Sequence, residues 1–386
     1  MSALAALETN ARRLWPPLAL CSVVVITWAL VDMFGDVVYT RTAVRMLLLL
    51  LVVLGLQIFS GNSGVLSFGH VTFVAIGAYI SALLTIPTAI KEFTYLTMPS
   101  WLTYWIFPAE LSPLEATLVG GGFAALFALI TSPAIVRLAG VQAGIATLAL
   151  LVIVNVFIVQ TSSITRGTST QIGVPTTTTL LSVTVWVLIA IALAFLFQQS
   201  RFGLRLRASR ENERAARSVG VWVPRERGIA WVLSAFVCGV AGALYAHYFV
   251  TFSYLDFYFN TNGFDQVLLP IAMLVVGGMT SVTGAVVGCY LVTVVFELFR
   301  RWEVNGFVGI DRPSGTTNLV LALVLLVTLI LRPRGITGGK ELPWPTEWRL
   351  PRKPQFDILE AYGIRRARAH PVANEPPAST ETAPTD

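Results

Sequence analysis

Apolar runs separated by short polar interruptions occupy the chain from residue 18 to residue 331. A helix rising 1.5 Å per residue needs about 20 apolar residues to cross the hydrocarbon of a bilayer. Runs of this kind fall at 18–31, 43–59, 61–84, 114–136, 140–160, 180–197 and 229–250. The stretch 267–299 is too long for one span and is interrupted by GGMTSVTG at 277–284, so it reads as two shorter helices joined by a tight turn. A last run covers 318–331. The pattern predicts an all-α, polytopic α-helical membrane protein of about ten transmembrane helices. The membrane domain extends over 1–335, and the proline-rich residues 336–386 form a disordered cytoplasmic tail. The first run meets Asp32 without a small-residue cleavage site, so it reads as a first helix and not a removed signal.

The interruptions have characters of their own. Residues 87–113 carry Trp101, Tyr104 and Trp105 among prolines, a composition suited to the membrane interface. Residues 161–179 are polar, without periodicity, and read as an external loop; Asp256, Asn260, Asn262 and Asp265 mark another. The most polar interruption is RFGLRLRASRENERAARSVGV at 201–221, which with the residues up to Arg227 holds eight arginines and three glutamates. One arginine at the bilayer centre costs roughly 2.5–3.5 kcal/mol, so this stretch lies outside the hydrocarbon. Placing it inside the cell puts Arg12, Arg13, Arg137, Arg332 and Arg334 on the same side, with both termini cytoplasmic. Arg41, Arg45, Arg166, Arg300 and Arg301 then fall on the other side as exceptions.

Within the basic stretch, Ser209 suits an N-cap, Glu211 the first turn and Gly220 the C′ position of a helix of about ten residues. Glu213 and Arg217 form an i,i+4 pair. Asn212, Ala215, Ala216 and Val219 share a narrow face of small residues. Such a helix either docks in a partner's groove or is a solvated loop that sets topology.

Composition narrows the functional classes. The 386 residues are 55% hydrophobic and 12% charged, with a mean hydropathy of +0.71. A net charge of +6 would suggest nucleic acid in a soluble protein, but the clustering of arginines in particular loops accounts for it here. Cys21, Cys238 and Cys289 are isolated within apolar runs and read as core; His70, His247 and His370 form no ligand cluster, so no cofactor is expected. GITGGK at 335–340 has the wrong glycine spacing for a phosphate loop and ends in Glu341 where Ser or Thr is needed.

Several motifs in order resemble one family. RFGLRLRASRENERAARSVGV followed by AWVLSAFVCGVAGALYAHY resembles the permease subunits of branched-chain amino acid ABC importers, in particular the LivM-like half of the pair. GNSGVLSFGHVTFVAIGAYISA, LAGVQAGIATLAL, VVGGMTSVTGAVVGCYLV and the closing LRPRGITG agree in order and spacing from about residue 41 to residue 338. The resemblance implies a multi-pass permease of the bacterial inner membrane. Its partners would be a second permease subunit, two ATP-binding subunits that bind the ATP, and a soluble substrate-binding protein. It also makes the central stretch the segment that contacts the ATPase, with Arg210, Glu211, Asn212, Ala215, Ala216 and Gly220 matching the motif.

Ser67, His70, Thr147 and Asn155 are candidates for the solute path. An ionisable group within a span is a functional candidate, yet His70 could equally bond a neighbouring helix. Asn155, Gln142 and Thr147 could line the path or hydrogen-bond between helices. The spacings Gly140/Gly144 and Gly284/Gly288 are weak packing signals, and Asp256 and Asp265 either meet a binding protein or are solvated. Where the family often has a Gly-Gly and Asn-Gly-Leu pattern, this chain has TRGTSTQIGVP, which puts branched-chain specificity in doubt; relatives of this kind also move urea, short amides and other amino acids. A stand-alone secondary transporter would usually place acidic or basic groups within its spans, and few are present.

Overall fold

A computed structural model describes residues 3–258, 267–305 and 316–343. The tail from residue 344 on, with its expected disorder, lies outside them, as do Asn260, Asn262 and Asp265. The helices are α1 (Ala3–Phe34), α2 (Val37–Leu56), α3 (His70–Thr85), α4 (Thr88–Thr94), α5 (Ser100–Ile106), α6 (Pro113–Ile135), α7 (Gly140–Gln160) and α8 (Ser162–Thr165). They continue with α9 (Leu180–Gln199), α10 (Arg201–Glu211), α11 (Glu213–Ser218), α12 (Val223–Phe249), α13 (Leu268–Gly277), α14 (Val282–Asn305) and α15 (Thr316–Leu331). Among the described residues no strand is present beyond one isolated bridge between Gln171 and Phe252.

Seven described helices are long and apolar enough to cross a membrane, and α3 with α4 makes an eighth candidate, bent by 114°. Two shorter apolar segments, Leu268–Gly277 and Leu319–Thr328, complete the set. These elements follow the ten apolar runs in order. The bend after α3 lets α4 lie crosswise, where the Glu110 carboxylate accepts from Thr88 N at 2.7 Å and Lys91 Nζ donates to Ala109 O at 2.6 Å. Trp101, Tyr104 and Trp105 on α5 are exposed, as an interfacial position requires.

Helix α2 is the spine: every residue from Met46 to Leu56 is buried. From Trp15 on, helix α1 is little buried. Helices α3, α6 and α12 meet backbone to backbone. A Cβ on Gly77 would overlap Gly239 O, and one on Gly242 would overlap Val74 O. Dispersion and short interhelical bonds drive helix association in lipid, so removing the side chain at the crossing points brings the axes together. The two GxxxG spacings divide on this test. Gly284 and Gly288 pack against Gly277 and Met273 O, whereas Gly140 has φ +57° and nothing near its Cβ position, so it starts α7 and packs nothing.

The apolar run at 267–299 is broken where expected, with Gly278 at φ +120° between α13 and α14. What fills the break is the segment expected to open the tail. Ile336 N and Thr337 N donate to Val276 O at 2.9 Å and Gly277 O at 3.1 Å. The Glu341 carboxylate takes Val282 N at 2.8 Å, Thr283 N at 3.0 Å and Thr283 Oγ1 at 2.6 Å. Its Oε1 also accepts from Gln198 Nε2 at 3.0 Å, which ties α14 to the end of α9. The packed unit therefore runs to Leu342 instead of ending at residue 335.

Glu341→Ala removes a capping carboxylate, an effect of about 1–2 kcal/mol on the α14 terminus. The expected outcome is amide exchange at residues 282–284 faster by about tenfold, with the middle of α2 unchanged, read by hydrogen–deuterium exchange in detergent.

Candidate coupling segment and buried polar hub

The basic stretch folds as two helices and not one. Ser200 caps α10: its Oγ accepts from Gly203 N at 3.2 Å. The sharp turn out of α9 brings Gly203 so close to Phe197 O that a Cβ there would overlap it. Ser209 is not the N-cap that its position suggested. It lies buried inside α10, and its Oγ donates to Leu206 O at 2.7 Å. The cap belongs to Asn212, whose backbone is extended (φ −154°) and whose Oδ1 accepts from Ala215 N at 3.0 Å. The chain is helical from Arg201, so the boundary is a break between helices and falls three residues later than the serine. Gly220 has φ +84° and ends the segment, as its residue type requires.

Charges fix this pair of helices to the bundle. Arg210 Nη1 donates to Gly61 O at 2.9 Å, and Arg210 Nη2 meets Glu211 at 2.7 Å. The Glu213 carboxylate is held by Arg217 in the i,i+4 pair and by the buried Arg227 at 3.0 Å. Arg207 donates to Gln198 O at 3.1 Å, joining α10 to the residue that also holds Glu341. Burial works against ionisation of Glu213, but Arg227 and Arg217 outweigh it and hold its carboxyl below the usual carboxylate range. Desolvation and neighbouring Arg210 lower Arg207 from its ordinary value.

The small-residue face divides. Ala216 is buried against the bundle, while Asn212, Ala215 and Val219 are exposed, with Glu211, Gly220 and Trp222 beside them. Arg210 reaches inward to Gly61 O through Nη1 while its Nε and Nη2 hold the exposed Glu211. Sequence reading missed Arg227 as the anchor and Trp222 as a large exposed apolar side chain; a tryptophan in an arginine-rich loop was the available signal.

The intramembrane candidates separate as well. Ser67, His70 and Thr147 are fully buried and close together, whereas Asn155 is half-exposed on α7 and takes no part in their network. Ser67 Oγ lies 2.8 Å from His70 Nδ1, and Ser234 Oγ 3.0 Å from His70 Nε2. Ser234 donates its own proton to Trp231 O at 2.8 Å, so the consistent assignment puts the histidine proton on Nε2 and makes Nδ1 the acceptor. Phe59, Phe73 and Trp231 enclose the ring. Thr147 Oγ1 accepts from Phe68 N at 3.1 Å and donates to Gly144 O at 2.8 Å. The group staples the start of α3 to α7 and α12. A second histidine does the same further along: His247 Nε2 meets Ser81 Oγ at 2.7 Å. Asp256 caps its own turn through Ser253 N at 2.7 Å, and burial raises its carboxyl above the ordinary value. Among the described residues no group of three or more His, Cys, Asp or Glu side chains converges to hold a metal.

The family model for the permease component of the branched-chain amino acid transport system matches residues 38–330, three-quarters of the chain. The chain belongs to this permease family. Among curated relatives, the permease is 30% identical over 149 residues to the probable branched-chain amino acid transport permease protein LivH of Methanocaldococcus jannaschii. It is 25% identical over 150 residues to the probable LivM of the same organism. These matches cover 37% of the permease and 42% and 41% of the relatives. No solved structure matches it. The family expected from the ordered motifs is the family found, and the permease is a multi-pass membrane protein.

The lowered Glu213 carboxyl sets a pH window. A depressed folded-state value gives stability that is fully present above the ordinary carboxylate range, about 4.5, and is lost as pH falls through the lowered value. At pH 7, Glu213→Gln is expected to speed amide exchange in residues 213–218 about fivefold, corresponding to roughly 1 kcal/mol for a partly exposed pair. After correction for intrinsic exchange, the gap between parent and variant is expected to narrow as pH falls below the ordinary carboxylate range; a gap that stays constant from pH 7 down to acid unfolding would show that the carboxylate charge is not the tie.

Proposed function

We propose that the chain is the membrane permease of an ATP-driven importer for branched-chain amino acids or related small polar solutes. It works with a second permease subunit, two ATP-binding subunits and a soluble substrate-binding protein, in a plasma membrane with both termini cytoplasmic. The observation that carries this reading is the α10–α11 pair, exposed along Glu211, Asn212, Ala215 and Gly220 yet anchored inward by Arg210, Glu213 and Ala216. A short stiff segment held in this way can pass a push from a soluble partner to α2 and α12. Coupling requires that the partner bind the segment differently in its two nucleotide states. Urea, short amides or other amino acids are the alternative cargo. The departure at TRGTSTQIGVP favours keeping them, and ligand binding to the soluble partner identifies the solute.

Ala215 is exposed, so Ala215→Arg adds bulk and charge at the outer face without filling the core. In proteoliposomes holding all the subunits, ATP-dependent uptake is expected to fall at least tenfold in this variant, with the thermal midpoint within about 2 °C of the parent. Uptake by the chain alone on an ion gradient would overturn the importer reading.

A further inference from the structure

Helix α2 does not end as an α-helix. Its last turn, Gln57–Gly61, is π-helical, a rare geometry that often marks functional sites. Widening the helix frees backbone carbonyls, and the structure accounts for two of them. Asn62 Nδ2 donates to Ile58 O at 3.0 Å and Gln57 O at 3.3 Å. Gly61 lies against Met279 O in the break between α13 and α14, where a Cβ would overlap. The carbonyl of Gly61 is the one that Arg210 grips from the coupling segment.

The side chains of this turn are a different matter. Gln57, Ser60 and Asn62 are completely buried. Both amide atoms of Gln57, the Ser60 hydroxyl and Asn62 Oδ1 find no hydrogen-bond partner. Buried polar atoms are nearly always paired, and four unpaired ones in six residues disfavour the arrangement they sit in. Leucine in place of Gln57 would continue the apolar block before it at no such cost. A polar set retained there is explained if the turn spends part of its cycle in another environment. The turn also adjoins the histidine hub, since Phe59 packs edge-on to Trp231 at 4.9 Å.

We infer that the π-helical turn carrying Gln57, Ser60 and Asn62 is the gate of the solute path at the coupling-segment end. It is closed in this state. When the coupling segment moves, Arg210 draws the Gly61 carbonyl with it, and the amides and hydroxyl hydrogen-bond the passing solute and its water. The set is uncharged, so it suits a neutral or zwitterionic solute and not an ion. The inference rests on the importer reading above.

Gln57→Leu in the complete reconstituted complex tests it. The expected result is a thermal midpoint equal to or above that of the parent, ATP-driven uptake reduced at least tenfold, and continued ATP hydrolysis. A purely structural glutamine, or one held by a fixed water, gives the opposite sign: the midpoint falls together with uptake, which overturns the gate. Uptake equal to the parent's also overturns it. Ser60→Cys supplies a second readout. Its labelling by a membrane-impermeant maleimide, above the parent's background from three native cysteines, should rise at least tenfold during ATP turnover; equal labelling with and without ATP counts against the gate. If the unsubstituted complex shows no ATP-driven uptake, the importer reading fails and the gate with it, whereas an active parent with a parent-like Gln57→Leu removes the gate alone.

Discussion

A helix that stops or bends inside an apolar bundle leaves amides and carbonyls that only the protein can satisfy. This chain breaks its helices repeatedly at one end, and the partners for those breaks tie distant segments together. Asn62 takes two carbonyls of the π turn, and Arg210 takes that of Gly61 from 149 residues away. Glu341 takes the first amides of α14, and Gln198 takes Glu341. Ser67 and Thr147 take Gly69 N and Phe68 N at the start of α3, with His70 carrying the link on to α12. The connection between the α10–α11 segment and the spans therefore follows from the hydrogen bonds these breaks require.

Tight packing in the middle of the bundle makes those links mechanical. Where α3, α6 and α12 touch through glycine, the helices cannot slide without a carbonyl meeting a Cα. Close-packed interiors have discrete arrangements and resist continuous deformation. The compliant parts are then the breaks: the π turn, the α13–α14 gap and the α10–α11 joint at Asn212. All three lie on the chain of bonds that begins at the α10–α11 segment or at Glu341.

The spans were legible because hydrophobic length is a property of a contiguous run, and the elements match the ten runs in order. Gly220 was legible because a positive φ selects its residue type. The cap was misplaced for a physical reason. Ser209, Ser200 and Asn212 are all good N-cap residues, and choosing among them depends on where the preceding helix stops. That point depends on tertiary packing of α10, where Gly203 lies against Phe197 O and Leu206 is fully buried, and no local pattern encodes it. Arg210 on Gly61 O and Glu341 on α14 are long-range pairings and left no local mark. Those pairings decide which of the motif residues point outward.

The arginines also take on a second meaning. Read as a topology signal, the eight in the central stretch are interchangeable charges. In the fold they are not. Arg207, Arg210 and Arg227 bond carbonyls or carboxylates of the bundle, and Arg201, Arg214 and Arg225 are exposed. The exceptions at the opposite end follow the same logic. Arg41, Arg45 and Arg300 gather around a cleft of about 550 Å³ with Glu297, which pairs with Arg300 at 2.7 Å and with Arg301 at 2.9 Å. A carboxylate shared by two guanidiniums offsets one of their two charges and fixes both side chains against α14. Glu297 offsets one of these charges, so the arginines at this end are structurally engaged yet remain exceptions to the charge pattern.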